Sequence, residues 1–189
     1  MRLLKISALL LLIAFMAAPA AAESWPHERD GFVIGFNVGG GGAKAKPVEG
    51  QESDGGGGFG GFRVGWALSN QFLLGFESGA WVGKAENELG IDGDLTLSSY
   101  LLNFTWYPAA KGWFIRAGFG GGSSEYSTKI NGLEVSVEDN GGAFGFGAGH
   151  EWRLTRKFAL GVAVDYCTLD LDVDDFDFWG FSAQFNWYF

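Results

Sequence analysis

The chain has 189 residues, 32 of them glycine and 4 proline, with 18 Phe, 8 Trp and 5 Tyr; 13 Lys plus Arg against 22 Asp plus Glu give a formal charge of −9. Glycine without a three-residue period excludes a collagen-like helix, and the aromatic content excludes disorder. The acidic balance excludes a nucleic-acid binder, whose phosphate contacts need a basic surface. Cys167 stands alone, so no disulfide within the chain can staple the fold.

Residues 1–22 carry Arg2 and Lys5, then an apolar run over 8–16, then Ala20, Ala21 and Ala22. That order of charge, short apolar core and small residues predicts a secretory signal peptide cleaved before Glu23. The run falls short of the roughly 20 apolar residues that a membrane-spanning helix needs. No cysteine lies near the cleavage site, which argues against a lipid anchor. Residues 23–189 are then one domain, more acidic than the precursor because Arg2 and Lys5 leave with the signal.

From residue 32 onward, apolar and small or charged side chains alternate with the period of two at which a strand presents opposite faces. A first strand is predicted over 32–40. The second sets Phe62, Val64, Trp66 and Leu68 against Gly61, Arg63, Gly65 and Ala67. After a turn at 69–71, Phe72, Leu74 and Phe76 oppose Gly75, Glu77 and Gly79. A fourth strand covers 96–107, and after a turn at 108–112 Ile115, Ala117 and Phe119 oppose Arg116, Gly118 and Gly120. The sixth sets Phe144, Phe146, Ala148, His150 and Trp152 against Gly145, Gly147, Gly149, Glu151 and Arg153. After a turn at 155–157, Phe158, Leu160, Val162, Val164 and Tyr166 oppose Ala159, Gly161, Ala163 and Asp165, and the eighth strand is 181–189.

A soluble sandwich also alternates, but the glycine face here lacks the bulk of a solvated surface. The arrangement that fits is inverted, with aromatics toward lipid and glycines with a few charges filling a narrow interior. A closed barrel is then the way to satisfy every backbone polar group in hydrocarbon. The predicted fold is an all-β, eight-stranded antiparallel up-and-down transmembrane barrel, with short turns at one end and longer charged loops at 43–56, 84–93, 123–140 and 170–177 at the other.

The alternating strands, the stretch GFGAGHEWRLTRKFALGVAVDY over 145–166 and the aromatic-terminated last strand resemble the small eight-stranded outer-membrane barrels, the family of the OmpA transmembrane domain and OmpX. The resemblance implies a monomeric integral protein of a Gram-negative outer membrane, in contact with lipid and lipopolysaccharide, its short turns periplasmic and its long loops extracellular. It also implies that Phe189, with Trp187 and Phe185 at alternate preceding positions, is recognised by the barrel assembly machinery.

Turn lengths set a register. A three-residue turn at 69–71 places Arg63 opposite Glu77, and a two-residue Asn131-Gly132 turn at the extracellular tip places Ile130 opposite Leu133, Phe119 opposite Phe144 and Arg116 opposite Gly147. Asn103 is expected to face Arg116, and Asp165 to face Gly147, so that Arg116 reaches Asp165 across the missing side chain. Arg63, Glu77, Asn103, Arg116, Glu151, Arg153 and Asp165 are thus the predicted interior polar network, paired because buried ions left alone are costly. Small barrels are filled by side chains, which favours a structural network over an ion path.

Candidate chemistry is thin. Gly55–Gly60 match a G-x-G-x-x-G pattern but enter a strand rather than a helix, and are expected to be a flexible loop end. His150 lacks a serine at useful spacing and reads as part of an interfacial aromatic girdle; His27 is the other histidine. Asp170, Asp172, Asp174, Asp175 and Asp177 lack the glycine and glutamate of a calcium loop and read as solvated charge, with cation bridges to lipopolysaccharide phosphates as the alternative. No catalytic residue, cofactor or metal ligand is predicted. The expected role is structural or surface-interacting, with an extracellular ligand unspecified; a small porin-like channel and a lipid A-modifying enzyme are the alternatives.

Overall fold

The computed structural model describes residues 28–47, 53–86, 92–130 and 133–189. Eight strands, β1 (Gly31–Pro47), β2 (Ser53–Ala67), β3 (Phe72–Glu86), β4 (Asp92–Trp106), β5 (Trp113–Ile130), β6 (Leu133–Arg153), β7 (Phe158–Leu171) and β8 (Asp174–Tyr188), close in sequence order into one antiparallel barrel. β1 completes the ring by pairing with β8, from Val33 opposite Tyr188 to Pro47 opposite Asp174. Closure leaves no open sheet edge through the body of the wall.

The register follows from the turns. Arg63 lies opposite Glu77, Phe119 opposite Phe144, Arg116 opposite Gly147, Ile130 opposite Leu133 and Asp165 opposite Gly147. The proposed tip, Asn131 and Gly132, lies outside the described residues, as do residues 1–27 with the signal segment and His27. One expected pair differs: Thr105, not Asn103, stands opposite Arg116, and Asn103 pairs with Gly118. The cause is the connection, which folds Pro108–Ala110 into a 3-10 turn with Ala110 at a φ of 55° and so takes up more chain than a simple tight turn. The slip is two residues, so each side chain keeps its face.

The strands also run beyond their expected ends. Segments read as loops by their charge and glycine content are ladder-bonded: Ala43 pairs with Gly55, Lys44 with Asp54 and Lys84 with Asp94. Gly55–Gly60 therefore lie inside β2, not in a loop end.

The alternation changes sense along the barrel axis. In the half near the short turns, Phe32, Phe36, Phe62, Trp66, Phe104, Trp113, Phe146 and Trp187 point outward and are exposed, while Arg63, Glu77, Arg116, Glu151, Gln184 and Asn186 point inward and are buried. In the other half, Phe59, Trp81, Leu95, Leu97, Leu101, Leu169, Phe176 and Phe178 form a buried apolar cluster inside the barrel. Outward positions there become Lys44, Asp54, Lys84, Asp94, Asp170 and Asp177. The expectation of glycines and charges throughout the interior fails in this far half and holds only in part near the short turns, where Val33, Leu73, Tyr107 and Phe114 are buried beside the charges. Once the strands rise out of hydrocarbon, water replaces lipid outside, and burial of apolar side chains favours the inside. The inner-wall glycines make room for these rings: a Cβ on Gly57 or Gly83 would overlap the Trp81 indole.

Candidate functional site

Two linked layers of polar side chains occupy the lower interior. The upper layer is a belt around Arg116, whose Nε and Nη2 donate to Asp165 Oδ1 at 2.9 and 2.5 Å, passing over Gly147. Arg116 Nη1 lies 3.6 Å from Glu77 Oε2, which also accepts from Asn103 Nδ2 at 3.1 Å and lies 3.9 Å from Arg63 Nη1. The Gln184 amide, with its oxygen toward Arg116, accepts from Nη1 and Nη2 at 3.2 and 2.9 Å. Arg63 Nη2 donates to Asn186 Oδ1 at 2.9 Å, and Asn186 Nδ2 donates downward to Glu151 Oε2 at 3.2 Å.

Glu151 is the centre of the lower layer, at the mouth beside the short turns. Its carboxylate accepts from Arg29 Nε at 3.0 Å and Nη2 at 2.7 Å, and from the Tyr188 hydroxyl at 3.0 and 2.8 Å, with the Tyr107 hydroxyl at 3.4 Å. The guanidinium of Arg29 stacks 3.4 Å over the Tyr107 ring, and that of Arg153 stacks 3.7 Å over the Tyr188 ring. Arg153 donates to the backbone carbonyls of Arg156 and Glu28 at 3.2 and 2.8 Å. Arg29, Glu151 and Arg153 are all fully buried, so these contacts meet charge that water would otherwise solvate.

Of the seven residues named from sequence, Arg63, Glu77, Asn103, Arg116 and Asp165 lie in the belt. Glu151 belongs to the mouth and joins the belt through Asn186, while Arg153 meets backbone and ring rather than the other side chains. Gln184, Asn186 and Tyr188 alternate with the outward Phe185, Trp187 and Phe189 on the last strand, so the period-two pattern already marked their inward face. Arg29 precedes the first alternating residue, and no pattern in the sequence pointed to it.

The interior is packed at three heights: the apolar cluster, the belt and the mouth. A cavity of about 30 Å³ sits between the belt and the apolar cluster, bordered by Glu77, Asn103, Arg116 and Asp165, and Asp165 Oδ2 has no protein partner. One water needs roughly 10–15 Å³ of such space, so the cavity suits a water or two rather than a ligand.

On the outer wall, His150 is held between Trp113 and Trp152, with ring centroids 4.8 and 4.7 Å away, which makes it part of an aromatic girdle. Phe189 donates its N–H to the Phe32 carbonyl at 2.9 Å, and Trp187 packs on Phe158 at 4.9 Å. At the far end of the barrel, Asp177 of β8 pairs with Lys46 of β1 at 2.5 Å, and Asp139 Oδ2 of β6 accepts from the Val173 and Asp174 amides where β7 turns into β8, at 2.9 and 3.4 Å. Among the described residues no three His, Cys, Asp or Glu side chains group as a metal site.

No curated protein matches the sequence. Among solved structures, the chain is similar to Ail, the attachment invasion locus protein of Yersinia pestis, at 16% identity and a TM-score of 0.56, covering 83% of this chain and 99% of that one. It is similar also to Neisserial surface protein A, at 14% identity and a TM-score of 0.59, covering 84% and 97%. At these identities the likeness shows the fold. The family model of the outer membrane protein beta-barrel domain matches residues 7–189. The chain therefore belongs to the outer membrane protein beta-barrel family and is an integral protein of the bacterial outer membrane.

Proposed function

We propose that this barrel is a non-enzymatic surface-interaction protein: a filled, rigid anchor that holds a projecting β-ribbon outside the cell. The observation that carries this reading is the unequal height of the strands. β6 begins at Leu133, yet its pairing with β7 begins only at Gly141 opposite Leu171. The β7–β8 turn stops against β6, where the Asp172 amide donates to the Asn140 carbonyl at 3.3 Å. Above that point no strand among the described residues pairs with the β7-side edge of β6, and Val135 and Val137 are 45% and 65% exposed. Such an edge is a template for an added strand from another protein.

Charge narrows the partner. The ribbon carries Glu125, Glu138 and Asp139, and Asp170 and Asp172 stand at its base beside β6, so a cationic extended segment complements the surface. Ail has been crystallised with the heparin analogue sucrose octasulfate, a polyanion. The acidic rim here disfavours that class of ligand. The name of Ail, an attachment protein, supports a surface role as an analogy of fold.

Assembly forms part of the same proposal: Phe185, Trp187 and Phe189 on the lipid side of β8 are the features that the barrel assembly machinery reads.

The test is a barrel in which Ser124 and Asp139, which pair across the ribbon, are joined by Asn-Gly in place of 125–138. It still inserts in the outer membrane, but binding of the cells to protein-coated surfaces drops to that of cells lacking the protein; unchanged binding refutes the reading. The channel reading has its own measurement in planar bilayers, where the packed interior predicts no reproducible conductance steps and their appearance would favour a pore.

A further inference from the structure

Arg29 is held by parts of the chain far apart in sequence. Its amide donates to Asn70 Oδ1 at 2.6 Å and its Nη1 to the Asn70 carbonyl at 3.1 Å, in the first short turn. Nη2 donates to the Lys111 carbonyl at 2.8 Å, in the second. Nε and Nη2 reach Glu151 on β6, just before the third, and Glu151 is oriented by Tyr188 at the end of β8. Arg29 thus ties two of the short turns to β6 and, through Glu151 and Tyr188, to the end of the last strand, while Arg153 links its neighbour Glu28 to the third turn at Arg156.

The approach to that seat is equally specific. Gly31 has a φ of 74°, which lets the chain turn from Arg29 into β1 where an L side chain would be strained; a Cβ there would also overlap the Phe189 carbonyl. Glu28 completes the strap, its carbonyl accepting from Arg153 Nη2. The seat does not exist until the hairpins have formed and β8 has met β1, because its walls come from each of them.

We propose that Arg29 is a closure latch, a residue that docks into the periplasmic mouth after the barrel has closed and then opposes its reopening. Contacts spanning most of the chain carry the largest loop-closure cost and come late in folding. An interaction absent from the transition state acts on the unfolding rate and leaves the folding rate alone. The latch therefore gives the barrel kinetic persistence, which matters for a protein whose working form is the inserted one.

The experiment is urea-jump kinetics of the full mature chain in lipid vesicles, comparing wild type with Arg29→Ala, Arg29→Lys and the double variant Arg29→Ala with Glu151→Gln. The double variant removes the buried carboxylate that the single one strands, so a folding failure in Arg29→Ala alone does not end the test. The latch predicts unfolding at least tenfold faster in Arg29→Ala or in the double variant, a smaller increase in Arg29→Lys, and refolding rates within twofold of wild type. Refolding slowed as much as unfolding is accelerated would show that the contact forms early, and unchanged unfolding would show that it bears no load. Failure of the double variant to fold would equally overturn the proposal, since a latch is not needed for closure.

Discussion

At the scale of the residue, the interior charges are arranged around absences. Arg116 reaches Asp165 because Gly147 between them has no side chain; a Cβ there would overlap Asp165 Oδ1 and come within 3.1 Å of Arg116 Nε. Gly147→Ala is expected to lower unfolding stability by about 1–3 kcal/mol through overpacking, with more if the pair is forced apart. Gly58→Ala is the contrast, because nothing lies within 4 Å of its new methyl, and its effect should stay within about 1 kcal/mol and favour the fold. Urea midpoints in detergent measure both, and equal effects would contradict the crowded geometry over Gly147. The Arg116–Asp165 and Arg63–Glu77 juxtapositions were legible in sequence, because turn length and alternation together fix register. Arg29 was not, since a lone arginine in a segment without period carries no local sign of its partners.

At the scale of the element, β8 divides its work between its faces. Gln184, Asn186 and Tyr188 face inward and bind the belt and the mouth, while Phe181, Trp187 and Phe189 face out. Trp187→Asp and removal of Phe189 should therefore reduce the amount of protein in outer-membrane fractions severalfold in cells, while purified chains still refold in detergent to a heat-modifiable form. A loss in detergent equal to that in cells would assign these residues to stability alone and not to assembly. The strand cores were legible here because alternation is strong where one face meets lipid. The strand extensions were not: Gly41, Gly42 and Gly55–Gly58 have no side chains to alternate, and charged outward residues such as Lys44 and Asp54 look like loop until their pairing is seen. The 3-10 turn at Pro108–Ala110 likewise shifted the β4–β5 register by an amount that composition does not encode.

At the scale of the whole molecule, one barrel wall passes through two solvents. Near the short turns, apolar side chains face lipid and the charged ones are enclosed, together with a small apolar group around Val33, Leu73 and Phe114; beyond a level marked by Trp179 beside Tyr166, charged side chains move to the outside around the buried cluster that includes Trp81 and Phe178. That reversal places the outer membrane boundary and explains how a barrel can carry a tall ribbon above it without exposing a greasy core. The apolar cluster fills the interior above the belt, as Arg29 and Glu151 fill it below.

The two-solvent wall is tested most directly by tryptophan quenching with brominated lipids, in single-tryptophan proteins refolded into vesicles. Trp187, on the outer wall, should be strongly quenched, and Trp81, enclosed at 1% exposure inside the barrel, should keep its emission. Quenching of Trp81 with sparing of Trp187 would mean that the faces are assigned the wrong way round.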